Sequence, residues 1–162
     1  MKGKRYEGFS LIEILVVVAL IIILAAITII AINPAKNFRD TRNAQRGSDV
    51  NAILNAVTQY ISEEGRTLAS IGTIADCEDA DGEPQPALAT KIGTKSDGEP
   101  NEYINLVPKL VEGADLIVAI PVDPLDQFSD EDTGYTICAT KGGRVQVAAP
   151  HTEGKGPITV KR

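Results

Sequence analysis

The sequence is poor in the residue types that carry catalysis and cofactor binding. Its 162 residues include no Trp, one Met, one His and two Cys. The single histidine, His151, follows Pro150 in a polar stretch without ligand partners at metal spacing, so we treat it as a surface residue. No G-x-S-x-G, P-loop or G-x-G-x-x-G sequence occurs. We therefore expect a protein that is not an enzyme and has no organic cofactor.

Positive charge is scarce after the first few residues. The formal net charge is −6, and the chain after residue 8 carries thirteen Lys and Arg against twenty-one Asp and Glu. Phosphate binding needs clustered cations. The three phenylalanines, Phe9, Phe38 and Phe128, are too scattered to form a base-stacking platform. We therefore expect no specific nucleic-acid partner.

Charge is also missing from a long apolar run near the N-terminus, GFSLIEILVVVALIIILAAITIIAI at residues 8–32. From Ile14 to Ile32 there is no charged residue, and Thr28 is the only polar one. As a helix, Phe9–Ile32 would be roughly 36 Å long, against a hydrocarbon core of about 30 Å. A secretory signal peptide has a shorter apolar stretch and a small-residue cleavage site. We therefore predict a retained membrane helix.

One carboxylate, Glu13, lies one turn from the start of this run. Ionisable groups inside a membrane segment are costly and are usually paired. One interpretation places Glu13 at the level of the lipid headgroups. The other requires a cation at the same depth, and no Lys or Arg lies between Gly8 and Lys36. The only candidate is then a free α-amino group, created if the chain is cut after Gly8.

The residues around Glu13 resemble a known processing motif. Gly8-Phe9-Ser10-Leu11-Ile12-Glu13, after a short basic leader and before an apolar helix, resembles the prepilin motif of type IV pilins and type II secretion pseudopilins. The resemblance implies that a prepilin peptidase cuts between Gly8 and Phe9 at the cytoplasmic face and methylates the new amine. It also implies that Glu13 pairs with the Phe9 amine of a neighbouring subunit. Such a pair offsets the desolvation of both charges and fixes the axial register.

The resemblance implies that the chain is a structural subunit of a type IV pilus filament. The expected precursor is single-pass in the cytoplasmic membrane with its head outside the cytoplasm, and the product is a cell-surface filament for adhesion, motility, DNA uptake or secretion. Expected partners are further copies of the chain, the membrane before assembly, the prepilin peptidase, and the pilus or secretion assembly machinery of the inner membrane.

Two other functions stay open from the sequence. One is a pseudopilin of a type II secretion system, and the other is a signal-anchored extracytoplasmic binding module. Many type IV pilins carry a proline and a glycine within the apolar stretch, whereas neither residue interrupts Phe9–Ile32. A straighter helix of the kind found in pseudopilins is therefore also consistent with the sequence.

The remainder of the chain predicts a second helix and a small head. We divide the chain into a leader (1–8), an apolar helix (9–33), an amphipathic helix (34–65) and an acidic globular head (66–162). Asn33-Pro34 predicts a kink, or alternatively a new helix with Asn33 as its N-cap and Pro34 as its first residue. We expect Gly65 to cap the end of the amphipathic helix. Its apolar stripe predicts one face packed on a core: Val50, Ile53, Leu54, Val57, Tyr60 and Ile61.

Short alternating segments predict strands in the head. GYTICAT (134–140) and RVQVAAP (144–150) are typical of a hairpin turning through Lys141-Gly142-Gly143. PITVKR (157–162) predicts an edge strand or a tail. A turn of helix is expected near 104–112, and a brief extended piece before Pro121. The predicted fold is α+β and pilin-like, with a long N-terminal helix, half apolar and half amphipathic, on a small antiparallel sheet.

The two cysteines, Cys77 and Cys138, fit one disulfide in an oxidising compartment and equally fit two buried thiols. A disulfide would close a loop of about sixty residues and contribute roughly 4 kcal/mol on the chain-entropy model. Outside the cytoplasm we expect the disulfide. It does not match the short C-terminal cysteine loop of many pilins.

Two acidic stretches are weighed as calcium sites, since Ca²⁺ takes six to eight oxygen ligands. The first, DCEDADGEP (76–84), lacks the spacing of the helix-loop-helix calcium loop. The second offers Asp123, Asp126, Asp130 and Asp132 ahead of a strand, and resembles the calcium-bearing loop of major pseudopilins in its place before the terminal hairpin. The alternative for both is a solvated run of charge.

Three arginines, Arg39, Arg42 and Arg46, lie near one face of the amphipathic helix. One interpretation is a basic collar that meets acidic neighbours in a filament or lipid headgroups. The other is a solvated face close to the membrane.

Overall fold

Two consecutive helices begin the fold of this computed structural model, which describes residues 8–77, 89–95 and 102–162. Helix α1 is Leu11–Ile32 and helix α2 is Pro34–Ser62. The chain divides into a first unit that ends at Phe38 and a second unit, Arg39–Arg162. The predicted leader, apart from Gly8, lies outside the described residues, as does most of the first acidic stretch.

Helix α1 has no buried residue along its 22 positions. Its side chains are apolar on every face, so no stripe selects one side for a core. The hydroxyl of Thr28, the only polar residue from Ile14 to Ile32, donates a hydrogen bond to the carbonyl of Leu24 at 2.8 Å. By length and composition, the helix is long and apolar enough to cross a membrane.

Asn33 separates the two helices. Its backbone is left-handed, with φ 46° and ψ 70°, a conformation that asparagine tolerates better than most residues. Its Oδ1 accepts a hydrogen bond from the N–H of Lys36 at 3.3 Å, as an N-cap does, and Pro34 is the first residue of α2. The break between α1 and α2 at Asn33 agrees with the predicted kink, and Pro34 is the first residue of a new helix, as the alternative predicted.

Helix α2 places its predicted stripe in the core of the second unit. Val50, Ile53 and Val57 are fully buried, Leu54 and Tyr60 are nearly so, and Ile61 packs against the same cluster. The helix ends at Ser62, three residues earlier than predicted. Gly65 follows with φ 79°, the left-handed conformation expected of a residue just past a helix.

Five strands in the described part of the chain form one sheet in the order β2-β1-β3-β4-β5. They are β1 (Thr90–Ile92), β2 (Tyr103–Ile104), β3 (Thr136–Ala139), β4 (Val145–Ala149) and β5 (Ile158–Lys161). All neighbours are antiparallel except β1 and β2, which are parallel. The α+β pilin-like fold is therefore confirmed.

The predicted hairpin is β3 and β4, with Thr136 opposite Ala148 and Ala139 opposite Val145. In β4 the apolar residues Val145, Val147 and Ala149 are buried and alternate with half-buried neighbours, so one face of the sheet meets the stripe of α2 in a shared core. The segment after residue 157 is the edge strand β5 rather than a tail.

Residues 90–121 differ from the prediction in three ways. Strands β1 and β2 were not predicted, because two or three residues are too few to show alternation. The short helix is a single π-helical turn, Val107–Val111. The predicted extended piece before Pro121 is not a strand, since residues 116–119 form bends and residue 120 lies outside the sheet.

Candidate functional site

The predicted cleavage point lies in exposed, non-helical chain. Gly8, Phe9 and Ser10 precede the first helical residue, and the Phe9 side chain is 80% exposed. Ser10 has extended backbone angles, φ −73° and ψ 143°, and its carbonyl accepts the first helical hydrogen bond from the N–H of Glu13 at 3.0 Å. Accessible backbone outside regular structure is what a peptidase requires.

Glu13 lies in the first turn of α1 and is exposed. A negative charge near the N-terminus of a helix is stabilised by the unsatisfied N–H groups there. Within residues 8–77, 89–95 and 102–162, no side chain donates a hydrogen bond to its carboxylate or pairs with it. The residues that the motif makes functional, Gly8, Phe9 and Glu13, therefore share one exposed end of the apolar helix.

The sulfur atoms of Cys77 and Cys138 lie 2.15 Å apart, at bonding distance, and both residues are buried. Backbone hydrogen bonds hold the two segments together. The N–H of Cys77 donates to the carbonyl of Ala139 at 2.8 Å, and the N–H of Ala139 donates to the carbonyl of Ala75 at 2.9 Å. The segment 75–77 thus pairs with the end of β3 at Ala139, on the edge where β1 pairs with Thr136 and Ile137.

A buried ion pair joins α2 to the loop ahead of β3. Arg46 Nε donates to Asp123 Oδ2 at 2.6 Å and Nη2 donates to Oδ1 at 2.9 Å, a two-point contact between planar groups. Both side chains are 0% exposed. The N–H of Leu125 also donates to Asp123 Oδ1 at 3.0 Å. Because Asp123 accepts its hydrogen bonds mainly from Arg46, the pair attaches this loop to the helix.

The C-terminal loop is attached to the same turn of α2. Arg42 donates to both carboxylate oxygens of Glu153, and Arg46 Nη1 reaches the same carboxylate at 3.4 Å. Asn43 and Glu153 exchange two further bonds: Asn43 Nδ2 donates to the Glu153 carbonyl at 2.9 Å, and the Glu153 N–H donates to Asn43 Oδ1 at 3.1 Å. We call Arg42, Asn43, Arg46, Asp123 and Glu153 the polar clasp.

A second buried contact lies one turn further along α2. The hydroxyl of Tyr135, which is fully buried, donates to Asp49 Oδ2 at 2.7 Å, and Gln45 donates to Asp49 Oδ1 at 2.8 Å. Burial, followed by the hydrogen bond to Asp49, raises the pKa of Tyr135. The tyrosine therefore stays neutral, and its hydroxyl donates a hydrogen bond to the carboxylate of Asp49.

Hydrogen bonds within the polar clasp shift the pKa values of Glu153 and Arg46. The hydrogen bond from Arg42 is the main cause that lowers the pKa of Glu153 from 4.5 to about 2. The hydrogen bond to Asp123 is the main cause that raises the pKa of Arg46. Glu153 is therefore ionised and Arg46 protonated over the physiological pH range.

The polar clasp corrects the interpretation of the three arginines. Arg42 and Arg46 form neither an outward collar nor a solvated face, because both are paired inside the second unit. Arg39 is exposed. Arg46 and Asp123 are 77 residues apart in the sequence, so no local pattern identifies them as partners.

The structure does not bring the four predicted calcium ligands together. The carboxylate of Asp123 is engaged by Arg46, and Asp132 accepts hydrogen bonds from the Tyr103 hydroxyl and the Gly134 N–H. Across the described ranges, no three His, Cys, Asp or Glu side chains converge as a metal site. Calcium at Asp123, Asp126, Asp130 and Asp132 stays a prediction, to which this arrangement lends no support.

These features define a class of protein before any comparison. An apolar helix with no buried residue, long and apolar enough to cross a membrane, is followed in the chain by an α+β head. The Gly8–Phe9 junction and the carboxyl group of Glu13 lie exposed at the start of that helix.

The comparison with protein families identifies the segment. Residues 3–32 match the prokaryotic N-terminal methylation motif, the prepilin signature of type IV pilins and pseudopilins. The chain therefore carries a prepilin-type N-terminal motif, and this motif implies processing by a prepilin peptidase and assembly into pilus-type filaments. No curated protein and no solved structure matches the chain significantly.

Proposed function

We propose that the chain is the structural subunit of a type IV pilus filament, cleaved and methylated at Gly8–Phe9 and polymerised through α1. The observation that carries the proposal is that α1 buries none of its 22 residues within its own chain. Apolar surface on this scale is stable only in lipid or against other apolar helices. A filament core formed by α1 helices supplies the second environment after the membrane supplies the first.

The ionic part of the proposal concerns Glu13. After cleavage, the new α-amino group lies four residues before Glu13, so a neighbouring copy displaced along the axis presents its amine at the depth of this carboxylate. Either charge alone is expensive among apolar helices, whereas the pair offsets the cost. A contact between one end of a subunit and the next copy does not close on itself, so it generates a helical polymer.

The test is electron microscopy of surface filaments from cells that produce the wild-type chain, Glu13→Ala or Glu13→Asp. We expect Glu13→Ala to insert and be cleaved normally but to reduce filament yield at least roughly tenfold, because one buried charge is left unpaired. Glu13→Asp retains the charge and is expected to retain more filaments. Wild-type yield from Glu13→Ala would contradict the pairing.

N-terminal sequencing of the mature chain tests the processing step. We expect it to begin at methylated Phe9. A mature chain that begins at Met1 would instead support a signal-anchored binding module without an assembly role.

One observation favours a pseudopilin of a type II secretion system as the second candidate. Helix α1 runs without interruption from Leu11 to Ile32, with no proline or glycine to soften it. Deleting the gene separates the two functions. Loss of surface filaments with normal export of folded exoproteins supports the pilus, and the reverse supports the pseudopilin.

A further inference from the structure

The head contains an apolar cleft that the proposed function does not use. It encloses about 310 Å³ and lies between β1, the π-helical turn and the loop ahead of Pro121. Most of its lining is aliphatic, and Asp130 is the one acidic residue among the lining residues. Its volume is at the lower end of the range for ligand pockets, roughly 300–1,000 Å³. It therefore fits one large side chain better than a cofactor.

One residue in the wall of the cleft, Val118, is exposed to solvent although it is apolar. Val118 is 93% exposed, the highest exposure among the large apolar residues of the head. In the described part of the chain, the backbone N–H groups of Val118, Ala119 and Ile120 donate no hydrogen bond to the protein. An apolar cleft with an exposed apolar residue at its rim is a candidate interaction site.

The described part of the first unit carries two exposed aromatic side chains, Phe9 and Phe38, and of these Phe38 lies outside the apolar helix α1, next to the head in the sequence. Phe38 on α2 is 65% exposed, although it is a large aromatic residue. Lys36 and Arg39 lie beside it in the sequence and are also exposed. The acid that follows, Asp40, faces its own Lys155 at 4.0 Å. The segment Lys36–Arg39 thus offers an aromatic group between two cations.

We propose that the cleft of one subunit receives Phe38 of a second copy in the filament, with Lys36 or Arg39 of that copy beside Asp130. This inference rests on the proposed function, because polymerisation is what places copies side by side. Two complementarities support it. An exposed aromatic ring meets an open aliphatic cleft, and a cationic segment meets an acidic head, since residues 40–162 carry eleven Lys and Arg against twenty Asp and Glu.

Disulfide cross-linking in intact filaments tests the contact. Phe38→Cys and Val118→Cys are combined in the full chain, filaments are sheared from cells and oxidised, and subunits are separated without reductant. Because every subunit then carries both new thiols, a ladder of linked subunits is expected. The native cysteines Cys77 and Cys138 are already at bonding distance from each other.

The matched control combines Phe38→Cys with Ala69→Cys, an exposed position that lines a different cleft of the head. No ladder is expected from this pair. An equal ladder from the control, or a ladder in membranes whose filament assembly is blocked by Glu13→Ala, overturns the proposal. Filaments that form normally but give no ladder also overturn the proposal, because Phe38 is then covered by something other than the cleft, such as lipid.

A charge exchange keeps the proposal testable if the cysteine variants fail to assemble. The hydrogen bonds of Asp130 use its backbone carbonyl, so Asp130→Lys leaves them in place. We expect Asp130→Lys to reduce filament yield about tenfold and Asp130→Lys with Arg39→Glu to restore most of it. Asp126→Lys, on the same loop but outside the cleft, is the control and is expected to have little effect.

The two levels of inference fail in different ways. Absence of filaments from the wild-type chain overturns the proposed function and the cleft contact together. Normal filaments that neither form the ladder nor respond to the charge exchange overturn the cleft contact alone.

Discussion

Helices α1 and α2 follow each other in the chain, but they differ in every property that decides where a helix is stable. Helix α1 is apolar on all faces and buries nothing, whereas α2 is polar on average and buries nine of its 29 residues. One residue, Asn33, separates them. The burial of α2 is provided by its own chain, whereas that of α1 has to come from lipid or from other copies.

The difference also separates two uses of charge. In the second unit, Arg46 and Asp123 bury opposite charges against each other within one chain. In the first unit, Glu13 has a charge and its own chain offers no partner for it in the described residues. A charge that the monomer pairs is costly to leave without its partner, whereas a charge that the monomer leaves unpaired is available to select a neighbour.

The largest expected effect comes from breaking the pair in the second unit. Arg46→Met leaves the carboxylate of Asp123 buried without its cation and is expected to lower the free energy of unfolding by about 3–5 kcal/mol. Urea unfolding of the full chain in detergent, followed by pulse proteolysis, measures the change.

Two variants control this measurement. Arg46→Met with Asp123→Leu removes both charges and is expected to recover most of the loss, since a buried pair can be replaced by apolar groups at little cost. Arg39→Met removes an exposed arginine from the same helix and should change the free energy by no more than about 0.5 kcal/mol. Equal losses from Arg39→Met and Arg46→Met would show that the clasp is not specific.

A matched pair of apolar truncations compares the two helices directly. Ile53→Ala in α2 removes a fully buried side chain and is expected to cost about 2–5 kcal/mol of unfolding free energy. Ile22→Ala in α1 truncates a side chain that is 63% exposed and should leave the unfolding of the head within about 0.5 kcal/mol of wild type. Similar losses in the two variants would mean that α1 is part of the folded core.

The smallest expected effect is a pH dependence from the C-terminal loop. Pairing with Arg42 lowers the pKa of Glu153 from 4.5 to about 2, so the folded state binds this proton less tightly than the unfolded state. Its contribution to stability is therefore present above about pH 4.5 and is lost as the pH falls towards 2. The urea midpoints of wild type and Glu153→Gln should converge over this range. Midpoints that keep a constant separation contradict the assignment.

Local patterns predicted much of this molecule. The stripe from Val50 to Ile61, the cap at Asn33 and the hairpin at 134–150 each depend on residues within a few positions of one another, and each was predicted correctly. The two-residue strand β2 and the π-helical turn were not predicted as such, because neither repeats long enough to show a period.

The sequence by itself determined the apolar run, the isolated carboxylate at Glu13 and the Gly8–Phe9 junction, and with them the match to the N-terminal methylation motif, because these depend on the order of neighbouring residues. Only the tertiary structure decided that Arg46 is buried, that Arg42 pairs with Glu153, that Asp123 is a partner of arginine, and that Val118 borders an open cleft. Those contacts join segments up to 111 residues apart. Partners at such distances are chosen by how the whole chain packs, and charge alone does not distinguish them from the other acids and bases of the head.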